Sequence, residues 1–318
     1  MRRKLKDYMV ISLKGLAMGA ADVVPGVSGG TIAFISGIYE ELLGAISAIN
    51  IGLFKTLKSK GISAAWKQLN GHFLLSLFLG IFISIISLAK VVKWLLENEP
   101  VLLWSFFFGL VLASIFYVGK QIAKWNLQII VIGIVGIILG YMVTIIPPID
   151  SQTNDVLLIF AGAIASCAMI LPGISGSYIL LLIGFYSFII EAIDTIDLKI
   201  LFLFMVGVVI GLVSFSKVLK WLFSKFRNQM MAILTGIMLG SLNKIWPWKI
   251  ALSTYTDSHG KIKPLLEKSI SPFTFDGDAQ LLYAIILAVI GFSFIVLLEK
   301  LAVTKKSNGT GKDVFTKA

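Results

Sequence analysis

Residues 22–34 read DVVPGVSGGTIAF, and residues 169–181 read MILPGISGSYILL. Both stretches interrupt a long apolar run with the pattern Pro-Gly-X-Ser-Gly. Proline and glycine break helices, and a broken helix at membrane depth leaves backbone groups without partners. Such a break is tolerated only where it is buried in protein or lines a polar cavity. The two stretches therefore decide how the remaining apolar segments are arranged.

The composition is that of a helical membrane protein. Of the 318 residues, 57% are hydrophobic and 14% are charged, whereas a soluble domain has about 25% charged residues. Apolar runs near the bilayer-spanning length of about 20 residues recur along the chain. Six of them predict full spans, at 73–96, 101–119, 127–146, 200–223, 230–246 and 281–298. Two longer runs, 12–48 and 156–192, contain the Pro-Gly breaks, and we interpret each as two half-helices that enter and leave on one side.

The net charge of +11 reflects membrane topology, and nucleic acid is not expected as a partner. Lys and Arg lie mainly in the short breaks between apolar runs, as the positive-inside rule predicts for cytoplasmic loops. With both termini in the cytoplasm, the Lys-rich loop 49–72 lies inside and the polar loop 250–279 lies outside. Lys90 and Lys93 fit this topology less well, because it places them near the outer side.

The chain also repeats itself. The first motif, residues 25–31, aligns with the second motif, residues 172–178, at an offset of 147. The string KVVKWLL at 90–96 aligns with KVLKWLF at 217–223 at an offset of 127. The offsets differ because the first half carries an insertion, which fits its Lys-rich loop.

These offsets predict an all-α polytopic membrane protein with two inverted repeats, each consisting of one re-entrant broken-helix element plus three transmembrane helices. The repeats occupy 10–146 and 156–300 of a single membrane domain, 1–318, and residues 301–318 form a polar cytoplasmic tail. Three spans per repeat is an odd number, so the second repeat must be inserted upside down. Inverted repeats are typical of secondary transporters, which bind substrate near the membrane midplane.

The residue types of the two motifs suit an anion. A half-helix that begins inside the membrane presents free N–H groups and a positive dipole end, and phosphate is a usual ligand of such a terminus. The expected helix-breaking residues are Pro25, Gly26, Pro172 and Gly173. The expected substrate-binding residues are Ser28, Gly29, Gly30, Thr31, Ser175, Gly176, Ser177 and Tyr178. The alternative is that these small residues only allow close helix packing.

Charged residues near the motifs are few. Asp22 precedes the first break, and a carboxylate at mid-membrane costs about 2.5–3.5 kcal/mol on insertion scales, which indicates function. Asp22 is therefore the leading candidate for proton coupling, and Glu40, Glu41 and Glu191 either share that role or mark the membrane interface. The basic residues at helix ends either snorkel or attract anionic headgroups; they are Lys90, Lys93, Lys217, Lys220 and Arg227.

The sequence contains no Cys/His spacing of a metal site and no Walker-type phosphate loop. Neither a metal nor another cofactor is expected, and the chain is not expected to be an enzyme.

Taken together, GAADVVPGVSGGTIAF at 19–34 and LPGISGSYILLLIGFY at 171–186 resemble the bacterial polyprenyl-phosphate transporter family, the PopT-like proteins formerly called domain of unknown function 368. The resemblance covers nearly the whole chain. It implies a flippase in the bacterial cytoplasmic membrane that recycles undecaprenyl phosphate, the lipid carrier of cell-envelope and peptidoglycan synthesis, from the outer to the inner leaflet. Alternating access, with possible ion or proton coupling, is the expected mechanism.

Two other interpretations stay open at this point. Membrane lipid-pyrophosphate phosphatases also use re-entrant Pro-Gly-X-Ser elements, but in that pattern an arginine follows the serine, where this chain has Gly29 and Gly176. A carrier or channel for small inorganic anions is the other alternative, and its binding would not require a prenyl tail.

Overall fold

The computed structural model describes residues 3–23, 27–148, 154–256 and 262–307, and these residues are mostly helical. The first half forms α1 (Leu5–Val23), α2 (Gly29–Ile35), α3 (Tyr39–Ser47), α4 (Ile51–Gln68), α5 (Gly71–Asn98), α6 (Pro100–Lys120) and α7 (Leu127–Ile145). The second half forms α8 (Asp155–Ile170), α9 (Gly176–Leu182), α10 (Tyr186–Asp194), α11 (Leu198–Lys225), α12 (Arg227–Ser241) and α13 (Leu281–Ser307). Between α12 and α13 lie strands β1 (Lys249–Thr256) and β2 (Ile262–Ser269) and the 3₁₀ helix Pro272–Thr274.

Four helical stretches in the described part are long and apolar enough to cross a membrane: Gly71–Leu88, Pro100–Lys120, Leu127–Ile145 and Leu198–Lys225. The pair α9 and α10 adds a fifth candidate, bent by 110° at its break, which is the geometry of a broken span or a re-entrant loop. Only 11% of the apolar window of α11 is buried inside the protein, as expected for a helix that faces lipid. The chain is a multi-pass membrane protein.

Four of the six predicted spans coincide with helices that are long and apolar enough to cross a membrane. Helices α5, α6, α7 and α11 cover four predicted spans to within a few residues. Helix α13 begins at Leu281 as predicted but continues to Ser307, past the predicted end at 298 and into the predicted tail 301–318, whose remaining residues lie outside the described ranges. The span predicted at 230–246 was wrong at its C-terminal end. Helix α12 stops at Ser241, and turns at 242–245 lead to Trp246. Helix α12 is mostly buried against α7 and α6. Because it faces protein along most of its length, it does not have to match the thickness of the bilayer.

Each Pro-Gly run forms three helices instead of the two half-helices expected. The extra break falls at Gly37 (φ 73°) and at Gly184 (φ 76°), which stand at the same offset as the two motifs. After Gly37 the amide of Ile38 donates to the carbonyl of Ala33 at 3.1 Å, and the equivalent bond after Gly184 is 2.9 Å. These are Schellman ends, which require the left-handed backbone that glycine adopts without strain.

Two segments interpreted as loops are ordered. Residues 51–68 of the Lys-rich loop form α4, which is kinked at Gly61 (φ 78°). The polar loop after α12 contains the antiparallel pair β1–β2, in which Lys249 lies opposite Ser269 and Ala251 lies opposite Glu267. Neither segment shows a strong helical or strand periodicity in its sequence. Short amphipathic stretches that contain many lysines are hard to distinguish from loops by sequence alone.

The helices pack in four close pairs: α1 with α5, α8 with α11, α6 with α13, and α7 with α12. A Cβ atom at Gly15 or at Gly162 would overlap the carbonyl oxygen of the facing helix, from Leu77 and from Phe204 respectively. These positions are related by the offsets of 147 and 127 in the sequence. The first two helix pairs therefore approach each other through equivalent residues.

The main hydrophobic core takes buried residues from α1, α2, α3, α5, α6, α7, α8, α11, α12 and α13. A smaller cluster joins α8, α9 and α10. Helix α2 is buried along its whole length inside the main core, so the described part of the first motif, residues 27–31, lies in the protein interior. The second motif connects the two clusters.

Candidate functional site

The two motifs meet in the protein interior. The backbone amide of Gly173 donates to Thr31 Oγ1 at 2.9 Å, and Ser28 Oγ donates to the carbonyl of Met169 at 3.2 Å. Ser28 and Thr31 are each only 1% exposed. The two motifs, which are offset by 147 positions in the sequence, thus form one hydrogen-bonded cluster, as expected if both serve a single site. Pro25 and Gly26 lie outside the described residues.

The first turn of α2 binds a carboxylate from its own chain. Ser28 caps the helix by accepting from the amide of Gly30 at 3.0 Å. The amide of Gly29 donates to Asp22 Oδ1 at 2.6 Å. A Cβ atom at Gly29 would overlap the Asp22 carboxylate, so a larger residue at position 29 would displace the carboxylate from its present position. Asp22 is the last residue but one of α1 and lies at the amide where an anionic ligand was predicted.

The second motif is arranged differently. Gly173 has a φ of +87°, and a Cβ atom there would lie 3.0 Å from Met238 Cα, which favours glycine on both grounds. Ser175 and Ser177 share a hydrogen bond of 2.9 Å between their hydroxyls. Ser175 is buried but Ser177 is exposed, so this motif is the more open of the two.

Glycine also permits the close approach of the motif helices to their neighbours. A Cβ atom at Gly30 would lie 2.6 Å from the carbonyl oxygen of Ile170, and one at Gly176 would lie 2.6 Å from that of Ala165. Both distances are far below normal contact, so each short motif helix presses its backbone against α8. Gly30 and Gly176 were predicted to bind substrate, with close helix packing as the alternative. The structure shows that both glycines do allow close packing.

Tyr178 closes the second motif on one side. Its side chain is buried, and its hydroxyl donates to the carbonyl of Thr144 at 3.4 Å. Asn243 Nδ2 donates to Thr144 Oγ1 at 2.8 Å. The aromatic ring of Tyr178 faces Lys244, whose Nζ lies 4.4 Å from the ring centroid.

Several candidate acidic residues form ion pairs near the surface. Arg227 Nη1 lies 2.6 Å from Glu40 Oε1, which ties the start of α12 to α3. Glu41 accepts from both terminal nitrogens of Arg3, at 2.6 and 2.7 Å, and also from Asn70. Both carboxylates are thus held in ion pairs with arginine.

The remaining charged candidates lie outside the motif cluster. Glu191 is exposed on α10. The four lysines on α5 and α11 are exposed as well: Lys90, Lys93, Lys217 and Lys220. Their positions suit contact with lipid headgroups.

Sequence reasoning missed a buried charged group beside Tyr178, here called the lysine cluster and consisting of Lys244, Lys249 and Glu267. Glu267 Oε2 lies 3.0 Å from Lys244 Nζ and 3.5 Å from Lys249 Nζ. The two lysines flank Ile-Trp-Pro-Trp in the sequence. Charged residues beside two tryptophans were the one sequence feature that could have indicated this cluster. The hairpin that supplies Glu267 was interpreted as a loop, so its contribution could not be foreseen.

Within the described ranges, no group of three or more His, Cys, Asp or Glu side chains is placed to hold a metal ion.

The region that matches a known family includes both motifs. The model of a family described as undecaprenyl phosphate translocase-like matches residues 18–263. A polyprenyl-phosphate transporter of Vibrio cholerae serotype O1 is 48% identical over 306 residues, which are 95% of this chain and 99% of that protein. A polyprenyl-phosphate transporter of Staphylococcus aureus is 30% identical over 253 residues, 74% of this chain and 85% of that protein. No solved structure matches the chain. The family description and both names are those of transporters and not of enzymes.

Proposed function

Because the chain belongs to the undecaprenyl phosphate translocase-like family, we propose that it transports a polyprenyl phosphate across the bacterial cytoplasmic membrane. Two relatives that bear the name polyprenyl-phosphate transporter, one of them matched over nearly its full length, support the substrate class. The observation that carries the proposal is the hydrogen bond between Gly173 and Thr31, which joins the two motifs. We assign the phosphate headgroup to this junction.

The lipid suits such a site. Its phosphate needs donors, whereas its prenyl tail can remain in the hydrocarbon, so no wide aqueous pore is required. The donors of the junction are the amides and hydroxyls of the two motifs, from Ser28 to Thr31 and from Ser175 to Tyr178. They replace water around the phosphate, and buried donors that are already oriented bind charge more strongly than water-exposed ones.

We further propose that the molecule consists of two inverted repeats, 10–146 and 156–300, which move against each other. The paired helices support this. Helix α1 packs on α5 as α8 packs on α11, and α6 packs on α13 as α12 packs on α7. In the last two pairs a helix of the first half packs on a helix of the second half. Two halves related by a two-fold axis would produce two such reciprocal pairs. Alternating access then exposes the junction to one leaflet at a time.

The Asp22 carboxylate gives a route to proton coupling. It lies on the Gly29 amide at 2.6 Å, where it competes with an incoming phosphate for the same donor. Protonation of Asp22 removes the competing charge, because a neutral carboxyl is a weaker acceptor. In the second repeat Met169 stands at the equivalent position, so the coupling acts on one half only. We propose transport from the outer to the inner leaflet, with both termini in the cytoplasm.

A translocation assay tests the proposal. Purified protein is reconstituted in vesicles that contain a fluorescent short-chain polyprenyl phosphate, and a membrane-impermeant reagent reports the headgroup in the outer leaflet. We expect headgroup exchange between leaflets that is several-fold faster than in protein-free vesicles.

The same assay separates the rival functions. Equal rates with and without protein would contradict the proposal. Movement of inorganic phosphate without any effect on the lipid would favour the small-anion carrier. Release of phosphate from a polyprenyl pyrophosphate would favour the phosphatase.

A further inference from the structure

The lysine cluster is buried in the angle between the β-hairpin, α6 and α9. The side chain of Lys249 is 6% exposed, that of Lys244 is 13% exposed, and that of Glu267 is 20% exposed. The two cations also face aromatic rings, since Lys249 Nζ lies 4.0 Å from the ring centroid of Trp104 and Lys244 Nζ lies 4.4 Å from that of Tyr178. Lysines are seldom buried unless they are paired, so this arrangement calls for a reason.

The hairpin register places the cluster on one face. Lys249 lies opposite Ser269, and Ala251 lies opposite Glu267. Because alternate residues of a strand share a face, Lys249, Glu267 and Ser269 point to the same side. Lys268 points to the other side and is exposed. It offers a matched control for any substitution in the cluster.

The charges in the cluster do not balance. Two ammonium groups share one carboxylate oxygen, which leaves one positive charge in excess. Burial lowers the pKa of Lys249 to about 8, with the Lys244 charge adding to the effect and Glu267 opposing it. Burial alone would raise the pKa of Glu267, but the charges of both lysines outweigh it and hold that pKa below its usual value. A buried cation without a full counter-charge is destabilising, and an added anion relieves it.

The cluster is coupled to the second motif. Tyr178, which faces Lys244, belongs to the motif and to α9. Asn243 bonds Thr144 on one side and accepts from Ser269 Oγ at 2.9 Å on the other. A chain of polar contacts therefore runs from the hairpin to the ring of Tyr178. The lysines adjoin the motif that is the more open of the two.

We propose that Lys244 and Lys249 bind a phosphate monoester, as a loading site from which the headgroup passes beyond Tyr178 to the junction of the motifs. This inference rests on the proposed transport function. Two lysine ammonium groups are point-charge donors well suited to phosphate oxygens. In this account Glu267 is a resident competitor, which holds the lysines in place and yields to the phosphate.

Binding by the purified full-length protein tests the inference. The probe is a short-chain prenyl phosphate, with the matching prenyl alcohol as the uncharged control. The double substitution Lys244→Gln/Lys249→Gln is expected to weaken prenyl phosphate binding by about tenfold or more, as the loss of a charge-assisted contact implies. Lys268→Gln is expected to bind as the unmodified protein does. Equal affinity of the double variant and the unmodified protein for prenyl phosphate would overturn the inference, as would an equal loss of affinity for the alcohol.

A second variant, expected to bind prenyl phosphate more tightly, excludes misfolding as the explanation for weaker binding by the double lysine variant. Glu267→Gln removes the competitor, so it is expected to tighten prenyl phosphate binding several-fold, which a misfolded protein cannot do. Unchanged or weaker binding by Glu267→Gln would overturn the inference. Inorganic phosphate distinguishes the sources of the ligand. Competition at equal concentration would mean that the site takes free phosphate, and it would overturn the role as a loading site for the headgroup. Absence of competition would support that role.

Transport separates this inference from the proposed function. In the vesicle assay, loss of the loading site is expected to raise the lipid concentration that gives half-maximal rate and to leave the rate at saturation nearly unchanged. An unmodified protein that moves no lipid contradicts the proposed function, even where the binding differences persist. An active unmodified protein with an unchanged half-maximal concentration in the double lysine variant contradicts only the loading site.

Discussion

At the level of single residues, the Asp22 carboxylate occupies the Gly29 amide, one of the donors that we assign to the phosphate. It accepts from the Gly29 amide at 2.6 Å, and the absence of a side chain at position 29 makes room for it. The sequence predicts that Asp22 matters, because a carboxylate in an apolar run is costly. It does not predict this contact, because the direction of the chain between α1 and α2 depends on tertiary packing. The site thus contains its own competing anion.

Substitution of Asp22 tests that competition. Asp22→Asn keeps an oxygen acceptor for the Gly29 amide but cannot change its charge. We expect transport by this variant to lose most of its dependence on pH, measured as initial rates in the vesicle assay from mildly acidic to mildly alkaline buffer. Asp276→Asn, at an exposed position outside the motifs, is expected to keep the pH profile of the unmodified protein. An unaltered profile in Asp22→Asn would show that the coupling lies elsewhere.

The lysine cluster has its own dependence on pH. The pKa of Lys249 is about 8 in the folded protein, below its ordinary value of 10.5, so the unfolded chain binds more protons between these two values. The free energy of unfolding therefore rises as pH increases from about 8 to about 10.5. The lowered pKa of Glu267 acts in acid, where stability is lost as pH falls below its ordinary value of 4.5.

Thermal unfolding at a series of pH values measures this contribution. Lys249→Met is expected to remove much of the rise in melting temperature between about pH 8 and pH 10.5, because it removes the group that takes up the proton. Lys268→Met, on the opposite face of β2, is expected to retain the rise. A rise of the same size in Lys249→Met would mean that other groups cause it.

At the scale of elements, the long apolar helices could be predicted and the short ones could not. Helices α5, α6, α7 and α11 follow from hydropathy and length alone. The breaks at Gly37 and Gly184 stand at the repeat offset, but a single glycine in an apolar run is also tolerated inside a helix, so sequence does not decide between the two. Helix α4 and the β-hairpin were missed because their charged, mixed composition is shared by loops. The missed hairpin is what hid Glu267.

The helix pairs lead to a prediction at the same scale. A Cβ atom at Gly80 would overlap the carbonyl oxygen of Ser12, and one at Gly207 would overlap that of Ile159. Overpacking of this kind costs about 1–3 kcal/mol, and each kcal/mol lowers the melting temperature of a domain of 150–250 residues by about 2–4 °C. We expect Gly80→Ala and Gly207→Ala to destabilise the protein by similar amounts, because they occupy equivalent positions of the two repeats.

A control glycine in a helix gives the comparison. Gly119 has open space where a Cβ atom would stand, so Gly119→Ala is expected to leave the melting temperature nearly unchanged. A large effect at Gly80 with none at Gly207 would argue against the equivalence of the α1–α5 and α8–α11 pairs.

In the whole molecule, both halves contribute to one junction. Sequence comparison within the chain found the two motifs and the offset between them, and the structure brings Thr31 and Gly173 into contact. The offset could not show which groups the amides and hydroxyls of the two motifs donate to, because that depends on their neighbours in the folded protein. In the folded protein Ser28 and Thr31 are buried and bonded to the second motif, so the proposed function requires the halves to separate before substrate reaches them.

Accessibility of the junction from the two sides of the membrane tests this claim most directly. A single cysteine is placed at Ser28 or Ser175 in a protein with Cys167→Ala, and its modification by a membrane-impermeant thiol reagent is measured from each face of oriented vesicles. The account predicts that each cysteine reacts from both faces, and that polyprenyl phosphate slows the reaction whereas polyprenyl alcohol does not. Reaction from one face only, or an equal rate with and without polyprenyl phosphate, would contradict it.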